Sequence, residues 1–137
     1  MINSFTGKYS FLSNFYPTKG IEYEGIVYLT VEHAYQAAKS LSPIERDYIN
    51  RAPTPSAAKK AGRYLTLRTD WEEVKLEIMS TLLKSKYQWA DLKLLLLETG
   101  DEELIEGNWW GDTYWGICRG VGENHLGKLL MEIRDSH

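Results

Sequence analysis

A chain of 137 residues with 43% hydrophobic and 26% charged content has the size and balance of one globular domain, not of a disordered or fibrous chain. A formal charge of −3 and a pI near 5.6 exclude a broad basic footprint for nucleic acid. The single Cys118 excludes an internal disulfide, and the longest apolar run, Leu94 to Leu97, is far too short to span a bilayer. The opening Met1-Ile2-Asn3-Ser4 lacks the charged and apolar regions of a secretory leader, so the cytoplasm is the expected compartment.

In chain order, Ile2 to Phe5 is short and β-prone until Gly7 breaks it. The aromatic segment Tyr9 to Pro17 follows. Proline keeps the preceding Tyr16 away from helix, so extended or irregular structure is expected, with Phe11, Leu12 and Tyr16 in the core. Ser13 and Asn14 are short polar side chains in an apolar segment and need partners, in the local backbone or in a ligand. Ile21–Tyr23 and Ile26–Tyr28 flank Glu24-Gly25 and read as a β-hairpin.

The hairpin delivers the chain into Thr30 to Lys39, which reads as a helix with Thr30 as N-cap and Ala34, Ala37 and Ala38 as strong helix formers. Residues three and four apart share a face, so Glu32, Gln36 and Lys39 form one polar stripe, with Val31, Tyr35 and Ala38 on the packing face. A carboxylate, an amide and an amine on one rigid face can make a catalytic row. The same charges also complement the helix dipole, worth about 0.3–1 kcal/mol each, and for this stretch alone that is the simpler account.

Ser42-Pro43-Ile44-Glu45 is a capping box opening a second helix to about Arg51, and Ala52-Pro53-Thr54-Pro55 breaks it. Ser56 to Gly62 resumes as an Ala/Lys-rich helix. Lys59, Lys60, Arg63 and Arg68 form the most basic neighbourhood, suited to a solvated face or a phosphate contact. Asp70-Trp71-Glu72-Glu73 opens the longest helix, to about Tyr87, with Val74, Ile78, Leu82 and Lys86 along one face and Met79 and Leu83 beside it. A shorter helix, Asp91 to Glu98, ends at Thr99-Gly100, and Leu104-Ile105-Glu106 is a short strand candidate.

Glu106 to Gly116 is too glycine-punctuated for a helix and reads as a loop. Trp109, Trp110, Tyr114 and Trp115 lie in it around Asp112. Loops run over the surface, so large rings there leave area exposed, although one or two of the Trp are expected to tuck into the core. Flat rings beside an acid suit stacking on a nucleobase or sugar. A last amphipathic helix, His125 to Arg134, turns Leu126, Leu129, Leu130 and Ile133 inward, with Asn124 a natural N-cap. There is no GxGxxG or Walker loop, and His33, His125 and His137 with one Cys lack zinc-ligand spacing. Cys118 is expected to be a buried apolar group. No metal and no cofactor is therefore expected; acids, an amine, amides and aromatics must carry the chemistry.

Taken together, the motifs resemble the NADAR superfamily, the YbiA-like N-glycosidases, in order and over nearly the whole chain. The matching pieces begin with Phe11-Leu12-Ser13-Asn14-Phe15 and Thr30-x-Glu32-His33-x-x-Gln36-x-x-Lys39. Ala58-Lys59 to Gly62, Asp70-Trp71, Met79, Lys86 and Leu96-x-x-Thr99 continue the series. It closes with Leu104-x-Glu106, Asp112-x-x-Trp115-Gly116 and Asn124-x-Leu126-Gly127-x-x-Leu130-Met131. The segments Asn108-Trp109-Trp110-Gly111 and Ile117-Cys118-Arg119-Gly120 depart from the family pattern, the first by being more aromatic, both in the base-binding loop.

The resemblance implies an α+β fold, a single compact, mostly helical domain over residues 1–137 with a small hairpin. It implies cleavage of N-glycosidic bonds between ribose and a base or amine, in riboflavin-pathway ribosylamino-pyrimidine phosphates or in reversal of ADP-ribosyl-guanine. The expected catalytic residues are Glu32, Lys39 and Asp112. Substrate contacts are expected from Ser13, Asn14, Phe15, Gln36, Trp71, Trp109, Trp110, Trp115, Gly116 and Asn124. The expected partner is a small nucleotide-sugar or ADP-ribosylated guanine in nucleic acid, with no membrane; the oligomeric state stays open. The alternatives are a module that binds ADP-ribose or a related nucleotide without cleaving it, and a domain whose Trp109 and Trp110 form a protein-interaction patch.

Overall fold

The computed structural model describes all residues, 1–137, and the architecture is α+β and mostly helical. The chain forms two compact units, residues 14–86 and residues 1–13 with 87–137.

The unit of residues 14–86 is built around one short helix. Strands β1 (Ile21–Tyr23) and β2 (Ile26–Tyr28) pair antiparallel, Ile21 opposite Tyr28 and Tyr23 opposite Ile26. Their turn residues Glu24 and Gly25 both have positive φ, 48° and 86°, as the tight hairpin turn that matches strand twist requires. Alternation then buries Ile21 and Tyr28 and leaves Val27 outside.

Helix α1 (Val31–Ala38) begins where Thr30 Oγ accepts the His33 N–H at 3.0 Å. All its residues are buried, so the expected division into a polar stripe and a packing face becomes two buried faces. It packs on β1, β2 and three helices, α2 (Pro43–Asn50), α3 (Pro55–Ala61) and α4 (Trp71–Lys86).

Ser42 caps α2 by accepting the Glu45 N–H at 3.3 Å, but the reciprocal half of the expected box is missing. The Glu45 carboxylate instead accepts from the Ser40 hydroxyl and from Thr66, and the Ser40 bond above all holds its pKa low. Helix α3 starts one residue before the expected Ser56, because Thr54 caps it and Pro55 fits its first position. Asp70 likewise turns from the expected box: its carboxylate grips Arg68. Along α4, Ile78, Met79, Leu82, Leu83 and Lys86 are buried.

In the other unit, the start of the segment expected to be extended or irregular forms a 3-10 turn, Gly7–Leu12, with the Tyr9 N–H on the Thr6 carbonyl at 3.0 Å. Pro17 restricts only its own neighbour, so nothing upstream was barred from a tight turn. Phe11 is buried, and its carbonyl accepts from the enclosed Tyr87 hydroxyl at 2.9 Å. Helix α5 (Ala90–Glu98) ends at Gly100, φ 66°. The strand expected at 104–106 is a single bridge, Leu104 to Ile2; the paired strand lies just beyond, β3 (Gly107–Asn108) running parallel to β4 (Ile117–Cys118). Cys118 is buried. Helix α6 (His125–Asp135) turns Leu126, Leu129, Leu130 and Ile133 inward.

Candidate active site

The first cluster grows from α1. The Glu32 N–H donates to the Asn14 carbonyl at 3.0 Å, which fixes the first turn of the helix to the segment before the hairpin. His33 is enclosed, with Nε2 3.0 Å from the Ala52 carbonyl and Nδ1 2.7 Å from Thr30 Oγ. A carbonyl can only accept, so Nε2 carries the proton there. The helix is thereby locked at the turn that carries Glu32.

Glu32 Oε2 accepts from Gln36 Nε2 at 2.5 Å, one turn along. Burial raises the Glu32 pKa, opposed by the Gln36 hydrogen bond and by the charges of Lys59 and Lys39. Its other oxygen, Oε1, takes no hydrogen bond from the chain and is not enclosed. Gln36 is in turn held from behind. Gly62 lies against its amide so closely that a Cβ there would collide with Gln36 Oε1, which is buried with no donor facing it.

Lys39 closes the row. Its Nζ stands 5.6 Å from the ring centroid of Tyr35, whose ring meets the buried Trp71 at 5.1 Å and 56°. Burial lowers the pKa of this half-buried amine. Glu32 pulls it up again, while Lys59, Lys75 and Arg63 push it further down. Lys59 on α3 precedes Gly62 by three residues and Arg63 follows it in the turn after α3, so both cations flank the glycine that touches Gln36 on α1. Tyr35, expected only to pack, also carries the amine. Nothing in its spacing distinguished the two roles.

Nearby, Asn14 has an oddly served side chain. Its Nδ2 points at Met79 Sδ, 3.6 Å away, and its Oδ1 is buried without a donor. Phe15 is half-exposed.

The second cluster is the aromatic loop of residues 106–116, in the other unit, which also contains Ser13. Asp112 organises it: Oδ1 accepts the N–H groups of Tyr114 and Trp115 at 3.1 and 2.9 Å. Asn108, which the sequence did not single out, clamps the same acid, accepting the Asp112 N–H at 3.0 Å and donating to its carbonyl and to Glu106 Oε2, each at 2.9 Å. The carbonyls of Thr113, Tyr114, Trp115 and Gly116 accept from the N–H groups of Glu123, His125, Leu126 and Asn124. The start of α6 is thus capped by the loop itself, and both are rigid for one reason. Gly116 is required because a Cβ would strike Glu106.

Asn124 does not cap α6 with its side chain, as its sequence position suggested. At φ 54° it is left-handed, and it braces the loop base, donating to the Leu104 carbonyl and accepting the Glu106 N–H, both at 2.9 Å. Trp109 and Trp110 meet edge to face at 5.6 Å and are 79% and 50% exposed; Trp115 is half-buried, edge-on to Tyr114 at 4.8 Å. His125 stacks on Tyr114 at 4.5 Å.

A buried acid one row from a half-buried amine is the equipment of a hydrolase that uses proton transfer and a nucleophile. Comparison with known proteins agrees. The NADAR domain model matches residues 3–136. An N-glycosidase from Nostoc punctiforme is 42% identical over 134 residues, 93% of this chain and 85% of that protein. The NMR structure of Escherichia coli YbiA superposes with a TM-score of 0.84 at 36% identity, covering 99% of this chain and 86% of that one. A chloroplastic riboflavin biosynthesis protein of Zea mays is 37% identical over 119 residues, 77% of this chain but 19% of that longer protein. The chain belongs to the NADAR family and is a hydrolase of N-glycosyl bonds.

Proposed function

We propose that the substrate is a phosphorylated ribosylamine, a ribosylamino-pyrimidine phosphate whose bond from ribose C1′ to the amine nitrogen is hydrolysed. The observation that carries this reading is the α1 row: an acid with raised pKa, its amide partner, and an amine with lowered pKa among further cations. Support for the pyrimidine comes from the relatives named as riboflavin biosynthesis proteins. Support for the phosphate comes from Lys39, Lys59 and Arg63 converging in a chain whose formal charge is −3, with Lys75 beside them paired to Glu72 at 2.5 Å.

In this reading Glu32 acts in its protonated form, which burial favours, and gives its proton to the departing amine as the C1′–N bond breaks. Neutral Lys39 forms a bond to C1′, and the proton it sheds returns to Glu32. Ring opening gives an imine between lysine and sugar, and water hydrolyses it to the free sugar and the amine. Gln36 orients Glu32. Asn14 and Phe15 contact the sugar, and Trp71 backs Tyr35. In the other unit, Ser13, Asp112 and the rings of Trp109, Trp110 and Trp115 offer polar groups and a stacking surface suited to a base.

A second reading, removal of ADP-ribose from guanine, is favoured by the loop. Trp109-Trp110 offers more ring surface than one pyrimidine needs. A module that merely binds nucleotide would need the rings but neither the buried acid nor the amine. Incubating the protein with a ribosylamino-pyrimidine phosphate and, separately, with ADP-ribosylated guanosine, while following the released base by mass, tests the assignment. Release from the first alone is expected; release from guanosine alone transfers the site to the second reading, and release from neither rejects both.

A further inference from the structure

The last turn of α1 meets an element outside the row of catalytic groups. The Arg68 N–H donates to the Lys39 carbonyl at 2.8 Å, and its Nη1 reaches the Ala38 carbonyl at 3.4 Å. Helix ends leave such carbonyls without intrahelical donors, so this residue completes the C-terminus of α1 at the position that carries the amine. The guanidinium is itself gripped from the other side: Nε and Nη2 bond the two oxygens of Asp70 at 2.7 and 3.2 Å, a bidentate geometry that fixes the plane of the fork. The Tyr23 side chain of β1 also acts on the guanidinium, raising its pKa after the larger influence of Asp70. The Arg68 side chain is only 15% exposed, against 42% for Asp70.

We propose that Arg68, locked by Asp70, is a positioning residue for Lys39: the clamp fixes the end of α1 and so keeps the Lys39 amine against Tyr35 and away from water. The inference rests on the proposed role of Lys39. The pairing with Asp70 matters for a second reason. The Asp70 carboxylate, 2.7 Å from Arg68 Nε, balances a guanidinium that would otherwise stand unpaired at the end of α1. The groups that act on the amine include Glu32 on α1, Lys59 on α3, Arg63 just after it, and Lys75 on α4, itself paired with Glu72 at 2.5 Å.

Loosening the clamp admits water to the amine and lets its pKa climb back toward 10.5. The test is trace acetylation of Lys39 across pH, read by mass, beside kcat and KM for the substrate that the protein is found to cleave. Arg68→Gln, which keeps the main-chain donor but loses the fork, is expected to raise the labelling midpoint by about half a pH unit or more. It is also expected to lower kcat about tenfold with KM within twofold, because a small misplacement of a reacting group is felt in the chemical step. Arg68→Lys, which keeps one bond to Asp70, should fall between. A folded Arg68→Gln with unchanged midpoint and kcat overturns the proposal. If Arg68→Gln does not fold, Arg68→Lys, which keeps the charge but loses the bidentate fork, is read in its place, and the same two outcomes decide. Lys39→Met separates this from the underlying reading: an active Lys39→Met rejects the catalytic lysine whatever Arg68 does. An inactive one with unmoved Arg68→Gln labelling rejects only the positioning.

Discussion

Gln36 Nε2 lies 2.5 Å from Glu32 Oε2, one helical turn apart inside a helix with no exposed face. The amide is the only side chain that hydrogen-bonds this acid, and burial, the dominant influence on it, favours the neutral form. The folded chain therefore binds the Glu32 proton more tightly than the unfolded chain. Stability from this group is complete below the ordinary carboxyl pKa and is lost as pH rises through the raised folded value. Glu32→Gln still accepts from Gln36 but has no charge to bury. The variant should lose activity by about 10²–10⁴-fold yet melt above the parent at pH 8, the gap closing near pH 4. Thermal melts at the two pH values beside a turnover assay check this; an active variant with no pH-dependent gain in stability contradicts it.

Gly62 is held by space. Its backbone is ordinary helix, φ −58°, so alanine would meet no conformational strain, but the new Cβ would strike Gln36 Oε1. Gln36 must then leave Glu32. Gly62→Ala should destabilise the fold by about 1–3 kcal/mol in denaturant titration and reduce turnover along with it, whereas Gly25→Ala in the hairpin turn should reduce stability alone. Unchanged turnover in Gly62→Ala would show that Gln36 does not hold the acid for catalysis.

These two contacts also mark how far the sequence could be read. The helix at Thr30–Lys39 and its row of Glu32, Gln36 and Lys39 follow from period and capping, which are local. That Glu32 and Gln36 are buried does not, because Gly62, which lies against Gln36, is distant in sequence. The loop of 106–116 was legible as a loop with rings, and two of its Trp are exposed. Its rigidity was not legible: carbonyls 113–116 answer N–H groups 123–126, a pairing without a sequence signature. The same limit explains the half-formed capping box at Ser42 and the diverted Asp70. Ser40 and Thr66 compete for Glu45, and Arg68 competes for Asp70.

Lys39 offers the sharpest chemical test of the covalent route. Burial lowers its pKa, so a larger fraction is neutral near pH 7 than for a solvated lysine. Borohydride added during turnover should reduce the imine and leave a sugar adduct on Lys39, seen as a mass increase on its peptide. Lys39→Arg keeps the charge but cannot form an imine, and should lose at least about 10²-fold in turnover with no adduct. Retained turnover in Lys39→Arg assigns the side chain to binding phosphate instead.

Trp109 and Trp110 present their rings to solvent while Asp112 and Asn108 hold the loop beneath them. A ligand that stacks there should change indole fluorescence without a change in fold. Titration with ADP-ribose should quench or shift the emission of the parent, and much less so that of Trp109→Ala, Trp110→Ala or Trp115→Ala. If every single variant keeps the full response, the stacking role fails.

Lys86 sets the pH slope of stability. It is completely enclosed at the end of α4, with Nζ 5.8 Å from the centroid of the Tyr16 ring, and burial alone brings its pKa from 10.5 down to about 7. Between those values the unfolded chain keeps a proton that the folded chain has released, so protons favour unfolding and stability rises with pH. The slope from one such group approaches about 1.4 kcal/mol per pH unit. Lys39, also lowered, adds in the same direction. Tyr28 and Tyr87, whose pKa values burial raises above 10.0, act oppositely, since the unfolded chain ionises them first, but only near pH 10 and beyond. Glu32, whose pKa burial also raises, opposes this slope as it ionises, so the Lys86 contribution is read as the difference between parent and Lys86→Met over pH 7 to 9. Urea titrations there should give an unfolding free energy that climbs with pH in the parent and climbs less, by about one proton's worth, in Lys86→Met. Equal slopes in the two proteins would mean that Lys86 stays protonated in the folded chain throughout this range.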